Sequence, residues 1–362
     1  MYDNIVNDDL NFIHKNVNLK DFKNSNVLIL GGNSFLATYI QAALDFGNRR
    51  DLQCNITSLS LNKPNGLFKK IFQNSKRIKF IKTDISNEVN LKKILNKKFN
   101  FIFHCATYGQ PKKWDNQQFS TINLSTKILK ILLEYSIENK SKILYFSSAD
   151  VYSTDDNKNK KLINENYKLG LPEFSNRIIY SASKIIGEQL CKIYKDKGVA
   201  VYIVRPGHTY GPGQDIYDQR IISQLIKRGI FEKHIYLMDN GKSIKTWGYL
   251  ADITIMFLNI IQKGKSLIYN TTGNDFVSIY NLAKVISKYF NNKKIIIKKN
   301  KKLSNSHIGS GHSIIKLSSK KYFSEFKKFK KTGFKIGVKK LIKWNIINCR
   351  NNKKLNYKNL NS

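Results

Sequence analysis

The chain has 362 residues, 41% of them hydrophobic and 12% aromatic, which suits one large domain or two sharing a core and excludes a disordered chain. Its formal charge of +38 is spread along the sequence, with the heaviest runs at Lys293–Lys302 and Lys316–Lys331, so compositional bias over an ordinary fold is preferred to nucleic-acid or anionic-membrane binding. Four scattered cysteines (Cys54, Cys105, Cys191, Cys349) lack metal or disulfide spacing and fit a reducing cytoplasm, and no run approaches the ~18 apolar residues of a bilayer span.

Residues 1 to 23 read as a short polar lead-in, open to a helix, whose acids argue against a secretory signal. Asn26–Leu30 is a short apolar run stopping at Gly31-Gly32, the pattern of a buried parallel strand, and helical spacing follows from Phe35 to Phe46. Further strands are expected at Ile56–Leu61, Ile78–Ile81, Phe101–Cys105, Ile143–Phe146 and Ala200–Val204. A helix is expected around Thr121–Tyr135, and another carries Tyr180 and Lys184. Strands alternating with helices at this spacing predict an α/β fold, a Rossmann-type doubly wound parallel sheet. After Arg205-Pro206 the texture changes to short elements and basic loops, predicting a smaller mixed α/β domain toward the C-terminus.

In such sheets ligands bind at the carboxyl ends of the strands. Gly31-Gly32-Asn33-Ser34-Phe35-Leu36-Ala37 stands between a strand and a helix, where a tight turn and free helix N–H groups can hold a diphosphate. Ser34 and Ala37 occupy the later glycine positions of that turn, and Ser34 can cap the helix or donate to phosphate. The second strand ends without an acid for a ribose 2′-hydroxyl, while Asn62 and Lys63 can accommodate a 2′-phosphate, so NAD and NADP both stay open.

Ser147-Ser148-Ala149-Asp150-Val151-Tyr152 closes the fifth strand, where Ser148 can hydrogen-bond a reacting oxygen and Asp150 can act as acid or base or cap the turn. Tyr180 and Lys184 lie four apart, on one helical face. An ammonium beside a phenol favours the phenolate, so Lys184 is expected to lower the Tyr180 pKa toward the range useful for proton transfer. The same spacing occurs at Tyr108/Lys112, Tyr280/Lys284 and Tyr289/Lys293, so only its surroundings single out Tyr180.

Those surroundings carry a resemblance. The glycine turn, Asp84-Ile85, His104-Cys105-Ala106, Asn123, Ser147-Ser148-x-x-Val151-Tyr152 and Arg177-x-x-Tyr180-x-x-x-Lys184 fall in the order of the extended short-chain dehydrogenase/reductases of the nucleotide-sugar epimerase/dehydratase kind. Arg205-Pro206, Tyr210-Gly211-Pro212-Gly213, Tyr249-x-x-Asp252 and Tyr269-Asn270 continue that order, so the chain resembles this family from about Val27 to Trp344.

The resemblance implies that Gly31, Ser34, Phe35 and Leu36 touch the dinucleotide phosphates, Asp84 and Ile85 the adenine, and that Ala106 lines the path to the nicotinamide. Tyr180 is then the base, Lys184 holds the nicotinamide ribose, and Ser148 steadies the sugar hydroxyl. Lys245 stands where relatives carry an arginine for the substrate diphosphate, and His312 or Lys316 replaces a second such arginine. The implied division is a lead-in at 1–23 and a dinucleotide-binding domain at 24–205 with a return segment at about 244–272. A substrate-binding domain then takes 206–243 and 273–350, followed by a polar tail at 351–362.

The reaction expected from the resemblance begins with oxidation of a nucleoside-diphosphate sugar at C4. Ala149-Asp150 in place of an Asp-Glu pair lowers the dehydratase reading, and a 4-epimerase leads, with decarboxylase, dehydratase or 4-ketoreductase as alternatives. The alternative of another class is a non-catalytic basic protein that binds nucleic acid or an anionic polymer. A cytoplasmic homodimer paired through the helices around Thr121–Tyr135 and Tyr180–Tyr194 is expected by analogy, with no membrane insertion.

Overall fold

The computed structural model describes residues 3–108, 117–152, 162–171, 176–298 and 314–351. Seven parallel strands form the central sheet: β1 (Asn26–Leu30), β2 (Asn55–Ser60), β3 (Ile78–Lys82), β4 (Phe101–His104), β5 (Lys142–Phe146), β7 (Val201–Pro206) and β11 (Ile268–Thr271). Between β5 and β7 the short strand β6 (Leu162–Ile163) stands outside that sheet. The spatial order is β11-β7-β5-β4-β1-β2-β3, and every pairing is parallel. The order reverses between β1 and β4, which opens a crevice beyond their carboxyl ends. β1, β4 and β5 are apolar on both faces and buried, because helices cover the sheet on each side.

One face is covered by α2 (Phe35–Asn48) and α3 (Gly66–Asn74), the other by α4 (Glu88–Ile94), α5 (Gln118–Ser125), α6 (Lys127–Asn139) and α7 (Asn176–Asp196). The single helix expected around Thr121–Tyr135 is two, broken at Thr126, whose backbone leaves the helical region while its hydroxyl bonds back to the Ile122 carbonyl. The N-terminal stretch takes the helical alternative. Asn4–Asn16 is a helix, α1, whose Val6, Leu10 and Ile13 recur at helical spacing and are fully buried against α2 and the later helix α9 (Leu250–Lys263).

Beyond β7, β8 (His208–Tyr210), β10 (Ile244–Tyr249) and β12 (Asp275–Ser278) form a mixed sheet in the order β12-β10-β8. Helix α8 (Ile221–Phe231) and strand β9 (Ile235–Leu237) lie between β8 and β10 in sequence, and α10 (Ile279–Tyr289) and β13 (Ile295–Ile297) follow β12. β9 pairs with β13, and β6 with β14 (Lys316–Leu317). The short helix α11 (Lys320–Glu325) and α12 (Phe334–Asn351) complete the order. Segment 250–271 returns to the central sheet, α9 as a buried helix and β11 as its edge strand against β7. No described helix is long and apolar enough to cross a membrane. His312 and residues 352–362 of the expected polar tail lie outside the described residues.

Candidate active site

The turn after β1 is built for close approach. Gly31 has φ +78°, and a Cβ there would stand 2.7 Å from the Ala106 Cα, so the chain can pass beside the end of β4 only as glycine. The N–H groups of Gly31 and Gly32 both donate to the Leu59 carbonyl at 2.9 Å, which ties the turn to the end of β2. Ser34 then caps α2 in extended backbone without a side-chain capping bond, and its buried Oγ has no protein partner. A buried hydroxyl without a partner, at a helix N-terminus whose first amides have no intrahelical acceptor, suits an incoming phosphate oxygen. Phe35 and Leu36 form the first turn of that helix. These residues fit a dinucleotide diphosphate.

Asp84 and Ile85 follow β3. The Asp84 carboxylate accepts from the Ser86 N–H and hydroxyl at 2.9 and 2.7 Å, and Ile85 is buried in a cluster with Leu28, Leu30, Leu59 and Ala106. That cluster places Ile85 and Ala106 on the same side of the crevice.

Ser148 and Tyr180 meet. The hydroxyls of Ser148 and Thr107 both hydrogen-bond the Tyr180 phenol, which is buried at the crevice between the ends of β4 and β5. Ser148 also accepts from the Asp150 N–H at 3.1 Å, which fixes the one-turn helix Ala149–Val151 and brings the Asp150 charge toward the phenol.

The expectation that Lys184 depresses Tyr180 is not met. Burial, with the Asp150 charge next, pushes the phenol up to about 12, against the opposing effects of Ser148, Arg220 and Thr107. Both ends of the Tyr180/Lys184 pair are desolvated, and the Lys184 Nζ donates to the Phe146 carbonyl at 2.8 Å rather than to the phenol. Burial lowers Lys184 itself to about 7, although Cys105, Glu188 and Cys191 favour its charged form. A cation whose field favours the phenolate is Arg220, at the N-terminus of α8, while the Lys184 Nζ lies 5.9 Å from the centre of the Tyr180 ring.

Arg220, Thr107 and Glu188 were missed from sequence. Arg220 lies over the Phe35 ring, 5.2 Å from its centre, and the Asp218 carboxylate grips it at 3.0 and 2.6 Å. No sequence pattern marks it. Glu188 could have been found, because it continues the Tyr180/Lys184 face by one more turn. Its buried carboxylate accepts from Ser147 Oγ at 2.6 Å and from Arg205 Nε and Nη2 at 2.8 and 2.5 Å. This triad clamps α7 to the ends of β5 and β7. Tyr152 and Asn270 also meet, the phenol donating to the Asn270 Oδ1 at 2.6 Å.

Lys245 stands on β10 opposite Val277, two residues before Trp247, and Trp247 pairs with His208 of β8 with ring centres 5.5 Å apart. Lys316 lies on β14, where it packs over the Phe276 ring.

A family model described as "NAD dependent epimerase/dehydratase family" matches residues 27–272. Among curated proteins, the chain is 22% identical over 221 residues to a dTDP-4-dehydro-6-deoxy-D-allose reductase of a Streptomyces species, covering 58% of this chain and 66% of the relative. It is 28% identical over 279 residues to a dTDP-D-glucose 4,6-dehydratase of Dictyostelium discoideum, covering 74% and 56%. The chain thus spans two thirds or less of the length of these relatives. Among solved structures, an epimerase of Methanothermobacter thermautotrophicus superposes with a TM-score of 0.77 at 15% identity, covering 97% of this chain and 98% of that one.

Proposed function

Because this chain belongs to the NAD-dependent epimerase/dehydratase family, we propose that it is a nucleoside-diphosphate-sugar 4-epimerase of surface polysaccharide synthesis, acting in the cytoplasm. The observation that carries this reading is the convergence of the Ser148 and Thr107 hydroxyls on the Tyr180 phenol, beside a glycine turn fit for a dinucleotide. Gly31, Ser34, Phe35 and Leu36 would hold the diphosphate of the cofactor, Asp84 and Ile85 its adenine end, and Ala106 and Lys184 its nicotinamide end. Bound NAD supplies an acceptor for hydride and later its donor.

Tyr180 Oη takes the proton of the C4 hydroxyl as the C4–H bond breaks to give a ketone. Ser148 Oγ, which hydrogen-bonds the phenol, would turn its single O–H to the developing ketone oxygen as the proton leaves, holding that oxygen in register with Tyr180. Inversion at C4 would need hydride to come back from the bound cofactor to the opposite face of the ketone, and Tyr180 would return the proton to the oxygen. Burial makes the phenolate costly, and the hydrogen bonds from Ser148 and Thr107 with the charge of Arg220 offset part of that cost. Lys245, with Lys316, is assigned to the substrate diphosphate. Incubation with UDP-glucose, UDP-N-acetylglucosamine and UDP-glucuronic acid tests the reading: a C4 epimer should form from one of them without net consumption of NAD.

A second reading rests on Arg220. A guanidinium whose field reaches Tyr180 suits a sugar bearing a carboxylate, and decarboxylation then follows C4 oxidation. Carbon dioxide release from UDP-glucuronic acid separates the two.

A homodimer is part of the proposal. Phe119 of α5 is 83% exposed, and Ile122, Ile137, Ile186 and Ile193 of α5, α6 and α7 are also solvent-facing, an apolar set suited to a second copy.

A further inference from the structure

The charge of this chain is not evenly laid. Between residues 279 and 351 there are 19 lysines and one arginine against a single acid, Glu325, a net +19 that is half of the whole chain's +38. Glu325 is itself engaged, accepting from Tyr269 Oη and Ser266 Oγ and from the Lys265 N–H at 3.0 Å.

Helix α12 organises the outer part of this region. Its inner face buries Phe334, Val338, Leu341 and Ile342. Gly337 comes so close to Tyr210 and Tyr249 that a Cβ would stand 2.6 Å from the Tyr210 Oη. Lys340 turns inward, and its Nζ meets the buried Asp9 of α1 at 2.7 Å. These contacts fix the rotation of the helix. Lys335, Lys339 and Lys343, spaced by four, therefore form an exposed row, flanked by Ile336 at 60% and Ile347 at 39% exposure. Exposed Lys327, Lys328 and Lys330 directly precede the helix. Cations at this end oppose the helix dipole, so they do not serve the helix itself.

We propose that the outward face of α12, with the lysines just before it, docks the protein on an anionic phospholipid surface. A row of lysines on a rigid helix matches a plane of anionic headgroups, and the intervening side chains decide between lipid and nucleic acid. On α12 they are aliphatic isoleucines, which enter the headgroup–acyl boundary, and Phe329, between the preceding lysines, is turned in against Phe12 and Phe323, whereas single-stranded nucleic acid is bound by exposed aromatic side chains that stack on bases. The docking is peripheral and is independent of the sugar chemistry proposed above.

The test is co-sedimentation of the full chain with phosphatidylcholine vesicles, with and without phosphatidylglycerol, alongside retention on double-stranded DNA at the same salt. Each lysine near an anionic surface strengthens binding about fivefold, so Lys335→Gln/Lys339→Gln/Lys343→Gln is expected to weaken vesicle binding on the order of 100-fold. Ile336→Ser/Ile347→Ser is expected to weaken it severalfold and to leave DNA retention unchanged. Lys79→Gln/Lys93→Gln/Lys98→Gln, an equal loss of charge at exposed sites elsewhere, should change vesicle binding by no more than about twofold if docking is local. Equal binding to both vesicle types overturns the proposal. So does equal damage from the remote triple variant, which would indicate bulk charge, or unchanged vesicle binding by the isoleucine variant, which would indicate a general polyanion surface.

Discussion

Neutralising Glu188 probes the clamp that holds α7, and with it Tyr180 and Lys184, against the strand ends. Glu188 and Arg205 are each 2% exposed and share two hydrogen bonds of 2.8 and 2.5 Å, with Ser147 Oγ adding a third to the carboxylate. In Glu188→Gln the guanidinium keeps its 3.2 Å bond to the Glu165 carbonyl and its place over the Tyr152 ring, but loses its counter-charge. Breaking a buried pair in this way costs about 3–5 kcal/mol, a large part of the ~5–15 kcal/mol that holds a typical protein folded. Replacing both partners removes the stranded charge, so Glu188→Leu/Arg205→Leu should cost less than the two single changes together, with a coupling of up to about 3 kcal/mol. Equilibrium urea unfolding of the parent, Glu188→Leu, Arg205→Leu and the double variant measures this cycle. A single variant losing less than ~1 kcal/mol, as an exposed pair would, or a strictly additive double variant, refutes the clamp.

The remaining predictions concern the turn, the buried ionisable groups and the proposed dimer. Gly31→Ala places a methyl 2.7 Å from the Ala106 Cα in left-handed backbone, and NAD affinity measured by fluorescence titration should fall at least about tenfold. Burial brings the folded Lys184 down to about 7 from the 10.5 of an ordinary lysine, so the unfolded chain binds the extra proton between those values and stability rises with pH across that window. Asp252 is raised by burial from 3.8 to about 7, so the folded chain holds the extra proton there and stability falls as pH rises through that range. Urea midpoints against pH should lose the upper limb in Lys184→Met and the lower limb in Asp252→Asn, relative to the parent. Phe119→Asp should convert a dimer to a monomer in light scattering, and an unchanged mass removes α5 from the interface.

The parallel sheet was legible because its strands are short apolar runs ended by Gly31-Gly32, Asp84 and Ser147-Ser148, a pattern that burial on both faces imposes. The meeting of Ser148 with Tyr180 followed from strand-end logic, since both precede or follow the same rim. The direction of the Tyr180 shift did not, because residue spacing describes which side chains share a face and says nothing of how much water they lose. A helix in the lead-in was open from the sequence, but the burial of α1 was hidden by its composition: three buried apolar residues among polar neighbours make a face only when the helical period is applied to them. Its buried Asp9, joined to Tyr39, Tyr249 and Lys340 at 2.9, 2.6 and 2.7 Å, has partners up to 331 positions away. Arg220 was hidden for the same reason, being brought over Phe35 by a loop that carries no periodic signal.

Turnover by Tyr180→Phe shows whether the phenolic oxygen carries the proton. With a sugar nucleotide that the parent chain converts, loss of a general base should slow conversion by about 10²–10⁴-fold. NAD should still bind within a few-fold of the parent. Conversion at the parental rate by a variant that lacks the phenolic oxygen contradicts the account.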